Sequence, residues 1–358
     1  MSLIGYLSYV KRYQLLFVSF LLLATTGIKA QQPLFRALSP AVSGLDFSNV
    51  VLESRDRNIG KYDYFYNGGG VAVGDINNDG LPDIFFTGND VNDALYLNRG
   101  KLHFEKATNA GILPGGWSTG ATIVDINNDG WLDIYVCRSG PDYQENNTPN
   151  LLYINNRNGT FSEQAAKYGI AGNELSTQAV FYDMDLDGDL DLLVLNHGVR
   201  NLANTARDWM QTVRNLPEET YRRFSNTLYK NENGSYVDIS REAGVLQAGF
   251  GLGVAIADFD RNALPDVFVA NDFFLPDQIL MLNNQGAYSD LINLKFPHVT
   301  FSSMGCDAAD INNDGWIDLA VLDMRPSTHE GHMTMHMDMP ESDMLFLERE
   351  MQFLPQEM

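Results

Sequence analysis

The chain has 358 residues, of which 44% are hydrophobic and 11% aromatic, and this composition supports one large domain or two smaller ones and excludes a wholly disordered protein. It carries 46 acidic and 24 basic residues, a formal charge of −22. A surface of this sign excludes nucleic acid as a partner and disfavours an anionic membrane. So large an acidic excess also opposes compaction, unless cations are bound among the carboxylates.

The first 30 residues have the pattern of a secretory signal peptide. Lys11 and Arg12 precede an apolar run over residues 15–24, and the stretch GIKA at residues 27–30 follows it. An uncleaved membrane anchor would need a longer run. We therefore expect cleavage near Ala30, no membrane insertion afterwards, and a secreted or cell-surface location, which in a bacterium is the periplasm or the outer face of the outer membrane. Cleavage changes the formal charge to −25, because it removes three basic residues and no acidic one.

Residues 67–324 contain five copies of an acidic nine-residue phrase. The copies are DINNDGLPD from Asp75, DINNDGWLD from Asp125, DMDLDGDLD from Asp183, DFDRNALPD from Asp258 and DINNDGWID from Asp310. Their starts are 50, 58, 75 and 52 residues apart, a period typical of propellers and related arrays. Residues 31–66 precede the repeats as an N-terminal segment with candidate outer strands.

Each phrase lies between two short stretches rich in β-forming residues, such as residues 70–73 and 84–87 around the first copy. The acidic loop therefore joins two strands. A second pair of such stretches follows in the first four copies, and Asn-Gly at Asn158 and Asn233 suits a tight hairpin turn. We predict an all-β fold, a β-propeller of four-stranded blades with one acidic loop in each blade.

Oxygen-bearing residues fall at alternate positions of every phrase, an arrangement that can wrap a calcium ion. Calcium takes about six to eight oxygen ligands at roughly 2.3–2.6 Å, whereas magnesium keeps its waters in a stricter octahedron. Positions 1, 3, 5 and 9 offer side-chain oxygens, and position 7 offers a backbone carbonyl. The predicted calcium ligands are Asp75, Asn77, Asp79, Leu81 and Asp83; Asp125, Asn127, Asp129, Trp131 and Asp133; Asp183, Asp185, Asp187, Asp189 and Asp191; Asp258, Asp260, Asn262, Leu264 and Asp266; and Asp310, Asn312, Asp314, Trp316 and Asp318.

Two features refine this prediction. Position 6 is glycine in every phrase except the fourth, where Ala263 predicts the most strained or weakest site. A helix-loop-helix calcium site would need glutamate at position 12, where the five copies have Phe86, Val136, Val194, Val269 and Val321. Asx-rich turns without metal are the simpler alternative for one phrase, but five copies in register argue against it.

The stretches at residues 70–84 and 253–267 resemble the FG-GAP repeat of integrin α-subunit propellers and of bacterial VCBS-repeat proteins. The arrangement is most similar to exported bacterial relatives of cartilage acidic protein. This resemblance implies a calcium-stabilised propeller used in adhesion or recognition, with the loop residues above as metal ligands and no catalytic residue. Integrin-type propellers close with seven blades, whereas this chain shows four full units and the opening hairpin of a fifth. Either residues 31–66 supply missing outer strands, or the chain is a fragment of a longer one.

The third repeat carries an insertion between Asn196 and Asn226. It contains the aromatic residues Trp209 and Tyr221 and the arginines Arg200, Arg207, Arg214, Arg222 and Arg223. Arginine and aromatic residues are enriched in binding hot spots, which makes the insertion a candidate contact surface. The alternative is a helical decoration whose arginines neutralise nearby acids.

The last segment, residues 325–358, fits no repeat and is rich in methionine and histidine. Soft ligands that suit copper are His329, His332, Met333, Met335, His336, Met337 and Met339. A disordered or truncated end is the alternative. Cys137 and Cys306 lie far apart in the sequence, and we expect free thiols rather than a bridge.

We expect a binding protein rather than an enzyme, with a protein or glycan as its ligand. The sequence shows no nucleophile motif, no HExxH and no phosphate-binding loop. Two alternatives stay open. Calcium-bearing propellers also resemble certain polysaccharide lyases, so a lyase-like enzyme is one, and a structural spacer of a larger surface protein is the other.

Overall fold

The computed structural model describes residues 35–142, 149–200, 206–273, 275–300 and 302–324, without the side chains of Ala206, Arg207 and Met210. The predicted signal peptide and the Met/His-rich tail lie outside the described residues. The chain divides into two units, Met1–Val42 and Ser43–Met358. In the first, the described residues are irregular up to helix α1 (Pro40–Ser43), which runs one residue into the second unit.

The described part of the second unit consists of five antiparallel sheets, each built from consecutive strands, which we call blades 1 to 5. Blade 1 contains β1 (Val71–Gly74), β2 (Asp83–Phe86), β3 (Ala94–Asn98) and β4 (Phe104–Lys106); blade 2 contains β5 (Ser118–Val124), β6 (Asp133–Arg138), β7 (Leu151–Asn155) and β8 (Phe161–Glu163); blade 3 contains β9 (Ser176–Tyr182), β10 (Asp191–Asn196), β11 (Thr227–Glu232) and β12 (Ser235–Asp238); blade 4 contains β13 (Gly251–Ala257), β14 (Asp266–Asn271), β15 (Gln278–Leu282) and β16 (Tyr288–Asp290); blade 5 contains β17 (Ser303–Ala309) and β18 (Asp318–Asp323).

Apart from α1, which precedes the first strand, the helices of the described residues lie between strands. Helix α2 (Ala165–Tyr168) follows β8, helices α3 (Ala206–Arg214) and α4 (Glu218–Arg223) lie in the insertion of blade 3, and helix α5 (Ile292–Lys295) follows β16. The all-β class is therefore confirmed, as are the four full blades and the opening hairpin of a fifth.

The core lies between successive blades, because adjacent residues of one strand point to opposite faces. In β6, Ile134 and Val136 pack in the cluster shared with blade 1, whereas Tyr135 and Cys137 pack in the cluster shared with blade 3. A strand buried on both faces therefore reads as a continuous apolar run. The alternation of side chains between the two faces of a sheet likewise gives one apolar cluster between blades 3 and 4 and another between blades 4 and 5.

The first strands of the five blades lie side by side in chain order. A Cβ added at Gly120 in β5 would lie only 2.5 Å from the carbonyl oxygen of Thr177 in β9, so glycine is required for this approach. The Thr119 hydroxyl donates to the carbonyl of Ser176 at 2.7 Å, and the Thr177 hydroxyl donates to that of Gly251 at the same distance. These bonds join blade 2 to blade 3 and blade 3 to blade 4 through their first strands.

Residues 35–66 contain no β-strand and thus differ from the outer strands suggested for this segment. Tyr62, Tyr64 and Phe65 are buried in an aromatic cluster with Trp117 and Phe250. These side chains thus pack into a core cluster instead of forming an outer strand at the edge of a sheet. Trp117 and Phe250 directly precede the first strands of blades 2 and 4, so the cluster lies at the end of the blades opposite the acidic loops.

Candidate functional site

All five acidic loops have the same hydrogen-bonded turn. In the first, the Asp75 carboxylate accepts from the backbone N–H of Asp79 at 3.0 Å and from that of Gly80 at 2.8 Å. The equivalent two bonds, between 2.7 and 3.0 Å, are accepted in the other loops by Asp125, Asp183, Asp258 and Asp310. The turn therefore follows from aspartate at position 1 and is a shared local fold.

The aspartate at position 9 begins the second strand of each blade and fixes the loop to the sheet. Asp133 accepts from the backbone N–H of Ile126 at 3.3 Å and from that of Asn155, at the end of β7, at 2.8 Å. Asp83, Asp191 and Asp266 make the same pair of bonds in blades 1, 3 and 4. Each carboxylate oxygen keeps a second lone pair that a metal ion could use.

The position-9 carboxylates are poorly solvated. Burial raises the pKa of Asp133 and of Asp191 to about 6, although their backbone hydrogen bonds act in the opposite direction, and the neighbouring loop carboxylates raise it further. The pKa values of Asp83 and Asp266 are raised for the same reasons. A cation among these carboxylates would relieve both the burial cost and the mutual repulsion.

The third and fourth loops bring three carboxylates together. One oxygen from each of Asp183, Asp185 and Asp191 lies within 4.8 Å of the others, and a second set of the same dimensions is Asp258, Asp260 and Asp266. Two oxygens bound to one calcium ion at about 2.4 Å lie at most about 4.8 Å apart. The spacing of these groups is therefore compatible with a bound calcium ion. Loops 1, 2 and 5 have asparagine at position 3 and so contribute an amide oxygen there.

The fourth loop carries the backbone strain expected from its sequence. Ala263 has φ 65°, in the left-handed region, and the glycines at this position in the other loops have φ between 82° and 97°. The loop nevertheless keeps its hydrogen bonds, because the Ala263 N–H donates to Asp258 at 2.8 Å.

Two basic side chains reach predicted ligand carboxylates from the hairpins next to the loops. Lys230 in β11 forms an ion pair with Asp185, and Arg157 forms one with Asp129 at 2.8 Å. The hydrogen bond from Arg157 lowers the pKa of Asp129. A metal ion would compete with these side chains for the two carboxylates.

Neighbouring loops also contact one another, which places them at one end of the blades. The Asn78 side-chain amide, at position 4 of loop 1, donates to the carbonyl of Gly130, at position 6 of loop 2, at 2.9 Å. Arg261 makes the equivalent bond to the carbonyl of Gly315, and its guanidinium lies 3.8 Å from the centre of the Trp316 ring. Loop 1 is therefore linked to loop 2, and loop 4 to loop 5.

The insertion of blade 3 is anchored in the protein. Trp209 is 2% exposed, and its indole N–H donates to the carbonyl of Val199 at 2.8 Å. Arg222 pairs with Asp238, and Arg200 pairs with Asp63 at 3.2 Å. These contacts agree with the interpretation as a decoration that neutralises acids. Arg214 is exposed at the end of α3, and the side chain of Arg207 is outside the described residues.

Sequence reasoning missed a buried polar group at the centre of the aromatic cluster. The His197 imidazole lies 3.1 Å from the Tyr62 hydroxyl and 2.9 Å from that of Ser139, and the two hydroxyls are 2.8 Å apart. Burial lowers the pKa of His197 to about 4. The one signal in the sequence was the dense run of aromatic residues at 62–66.

The two cysteines are free, as expected, with Cys137 buried and Cys306 partly buried. Within the described residues, no helix is both long and apolar enough to cross a membrane.

Comparison with known protein families identifies the same repeats. A family profile described as FG-GAP-like repeat matches residues 61–136, 142–194 and 258–321, which together exceed half of the chain. No curated protein matches.

Among solved structures, the chain is similar to BBS1N in complex with ARL6DN, at 12% identity over 70% of this chain and 61% of that chain, with a TM-score of 0.37. It is also similar to the V. cholerae biofilm matrix protein Bap1, at 15% identity over 61% of this chain and 27% of that chain, with a TM-score of 0.30. A third similarity is to a putative exo-beta-1,3-galactanase from Bifidobacterium bifidum s17, at 9% identity over 66% and 76%, with a TM-score of 0.36. The chain thus spans less than two thirds of the first two proteins.

Proposed function

Because the chain belongs to the family of FG-GAP-like repeats, we propose that it is a calcium-stabilised recognition module of the cell exterior, which binds a protein or a glycan. The observation that supports this most directly is the common conformation of the five loops, in which backbone N–H groups hold the position-1 and position-9 carboxylates in place. A ligand set that is already ordered loses little conformational entropy when a metal binds.

The proposal also accounts for the charge of the chain. The five loops contain 16 carboxylates at positions 1, 3, 5 and 9, and five divalent ions would offset ten of these charges. Carboxylate, amide and carbonyl oxygens are hard ligands that suit calcium rather than copper or zinc. Calcium-binding modules outside the cell commonly bind in the range of about 10⁻⁴ to 10⁻³ M, so a secreted or surface location would keep modest sites filled.

Recognition rather than catalysis is part of the same proposal. Ser139 and His197 form a hydrogen-bonded pair of the kind that can activate a nucleophile, but both residues are fully buried, so no substrate reaches them. The carboxylates of the acidic loops are committed to turn hydrogen bonds and to the proposed ions.

The test has two parts, both made on residues 31–358. Isothermal titration with calcium should show binding to several sites, and the double variant Asp183→Asn with Asp191→Asn should lose one site while the others remain. Arg214→Ala, at the exposed end of α3, is the matched control and should keep every site. Absence of calcium binding in the parent protein would refute the proposal that the acidic loops bind calcium.

The second part exposes the protein to panels of immobilised glycans and extracellular proteins, with calcium and with chelator. Calcium-dependent retention of a ligand without its breakdown is the expected result. Depolymerisation of a polysaccharide would show a lyase-like enzyme, and calcium-dependent folding with no retained ligand would show a spacer. Either result would contradict recognition as the function.

A further inference from the structure

Two pairs of neighbouring acidic loops are joined by a side chain at position 4 of the first loop. In loops 1 and 2, the Asn78 amide donates to the carbonyl of Gly130 at 2.9 Å. In loops 4 and 5, the Arg261 guanidinium donates to the carbonyl of Gly315 and lies 3.8 Å from the centre of the Trp316 ring. Both bonds therefore run from position 4 of one loop to position 6 of the next, although asparagine makes one and arginine the other.

The accepting carbonyl is bonded to the ligand carboxylates of its own loop through its peptide neighbours. The Gly130 carbonyl shares a peptide group with the Trp131 N–H, which donates to the Asp129 carboxylate at 2.9 Å. The Gly130 N–H donates to the Asp125 carboxylate at 2.7 Å. Loop 5 makes the same two bonds, each 2.8 Å long. Hydrogen bonds in a chain polarise one another, so the bond from Asn78 holds the peptide that orients the position-1 and position-5 carboxylates of loop 2.

The donating side chain stands between two predicted ligands of its own loop. Asn78 follows Asn77 at position 3 and precedes Asp79 at position 5, and its φ of 56° is in the left-handed region. Arg261 has the same place in loop 4, with φ 64°. Positions 3 and 5, once they hold a cation, would keep the backbone between them fixed, and with it the direction of the position-4 side chain. Order in the first loop of a pair is thereby passed to the carboxylates of the second.

Loop 3 lacks this link on both sides. Its own position 4 is Leu186, which is 58% exposed and has no hydrogen-bond donor in its side chain. At position 4 of loop 2, Asn128 has a left-handed φ of 54°, but within the described part of the chain no hydrogen bond joins its side chain to loop 3. Loop 3 instead has an ion pair between Asp185 and Lys230.

From these contacts we propose that the loops bind calcium as two coupled pairs, loops 1 and 2 and loops 4 and 5, with loop 3 as an independent site. The inference rests on the proposed calcium binding and adds a coupling between sites. Such coupling is reciprocal, so occupancy of either loop of a pair strengthens binding to the other. Loops 1 and 3 both adjoin loop 2, because the first strands lie side by side in chain order. Electrostatic effects therefore reach loop 2 from both neighbours, whereas the hydrogen bond comes from loop 1.

Tryptophan at position 7 supplies a separate reporter for each pair. This residue is Trp131 in loop 2 and Trp316 in loop 5, whereas loops 1 and 4 have leucine there and loop 3 has aspartate. Trp117 and Trp209 lie in the aromatic cluster at the opposite end of the blades. Terbium(III) is a hard cation that takes the oxygen ligands suited to calcium, and a nearby indole sensitises its emission. In a Trp316→Leu background, terbium emission therefore reports on loop 2.

The test is a double-mutant cycle on the terbium affinity of loop 2, with calcium as competitor, in residues 31–358 carrying Trp316→Leu. Asn78→Gly removes the donor amide and keeps a residue that adopts positive φ without strain. Asp75→Asn with Asp79→Asn weakens loop 1. Asn78→Gly should weaken loop 2 by about threefold to tenfold, the effect of one net hydrogen bond. The loop 1 changes should add nothing specific once Asn78→Gly is present.

Two matched controls separate the hydrogen bond from charge and from stability. Asp183→Asn with Asp187→Asn makes the same changes in loop 3 and measures the electrostatic effect of two lost carboxylates. The loop 1 changes should weaken loop 2 by about threefold to tenfold more than these do, and only while Asn78 is present. Asn313→Gly makes the same deletion at position 4 of loop 5, where φ is 59°, and should leave loop 2 unchanged.

The outcomes distinguish a failure of the coupling from a failure of calcium binding. Equal effects of the loop 1 and loop 3 changes would overturn the coupling, and so would unchanged affinity in Asn78→Gly or an equal loss in Asn313→Gly. Each of these results leaves calcium binding itself intact. Absence of sensitised terbium emission and of calcium competition in every protein would overturn the coupling together with the proposed calcium sites.

Discussion

Replacing Ala263 with glycine should stabilise the protein, since it removes backbone strain from the fourth acidic loop. Ala263 has φ 65°, and a Cβ in the left-handed region costs about 1–2 kcal/mol. The greater freedom of glycine in the unfolded chain offsets about 0.4–1 kcal/mol of this gain. Ala263 is exposed, so removal of its methyl group loses no packing. We expect a net gain of about 0.5–1 kcal/mol in the free energy of unfolding.

The reverse substitution, at the equivalent position of the second loop, is Gly130→Ala. Gly130 has φ 83°, and an added Cβ meets no heavy atom within 4 Å, so backbone strain is the only new cost. Urea unfolding of both variants at saturating calcium should move the midpoint up for Ala263→Gly and down for Gly130→Ala. The reasoning would be refuted if Ala263→Gly lowered the midpoint, or if both variants moved it in the same direction.

Three further predictions concern the buried cluster and the third loop. Trp209→Ala should lower the free energy of unfolding by about 3–5 kcal/mol, because a buried indole is lost, whereas exposed Arg214→Ala should change it by less than about 0.5 kcal/mol in the same urea assay. The pKa of His197 falls from 6.5 to about 4 on folding, so its stabilising contribution is complete above pH 6.5 and is lost as the pH falls towards 4. The difference in unfolding free energy between the parent and His197→Gln should therefore shrink by about 3 kcal/mol over that range. A difference that does not change with pH would contradict the pKa shift. Lys230→Met should tighten calcium binding by about twofold to fivefold in titration calorimetry, because an exposed ion pair to Asp185 contributes up to about 1 kcal/mol, and unchanged affinity would show that Lys230 does not compete with the metal.

The repeat architecture was predictable because its signal is local and recurs. Aspartate at position 1 specifies a turn whose hydrogen bonds lie within the phrase, and all five copies give the same turn, four with glycine and one with alanine at position 6. The two-faced burial of β6 likewise follows from its apolar run. For the same reason, Ala263 could be identified as the strained position from the sequence alone.

The rest depends on contacts between distant segments. Burial of Tyr62 beside Ser139 and His197 joins residues 77 and 135 positions apart, and no local pattern predicts it. Trp209 is of a residue type enriched in binding hot spots, but α3 packs against the aromatic cluster. Trp209 is therefore buried and holds the insertion on the blades.

The most direct test of the account is thermal unfolding of residues 31–358 with calcium and with excess chelator. Each site that binds only the folded protein contributes about 2.7 kcal/mol when free calcium is a hundred times the dissociation constant. We therefore predict a large, reversible fall in the melting temperature on chelation, which calcium restores and magnesium does not. An unchanged melting temperature would contradict the account, because it would show that the acidic loops hold no metal that stabilises the blades.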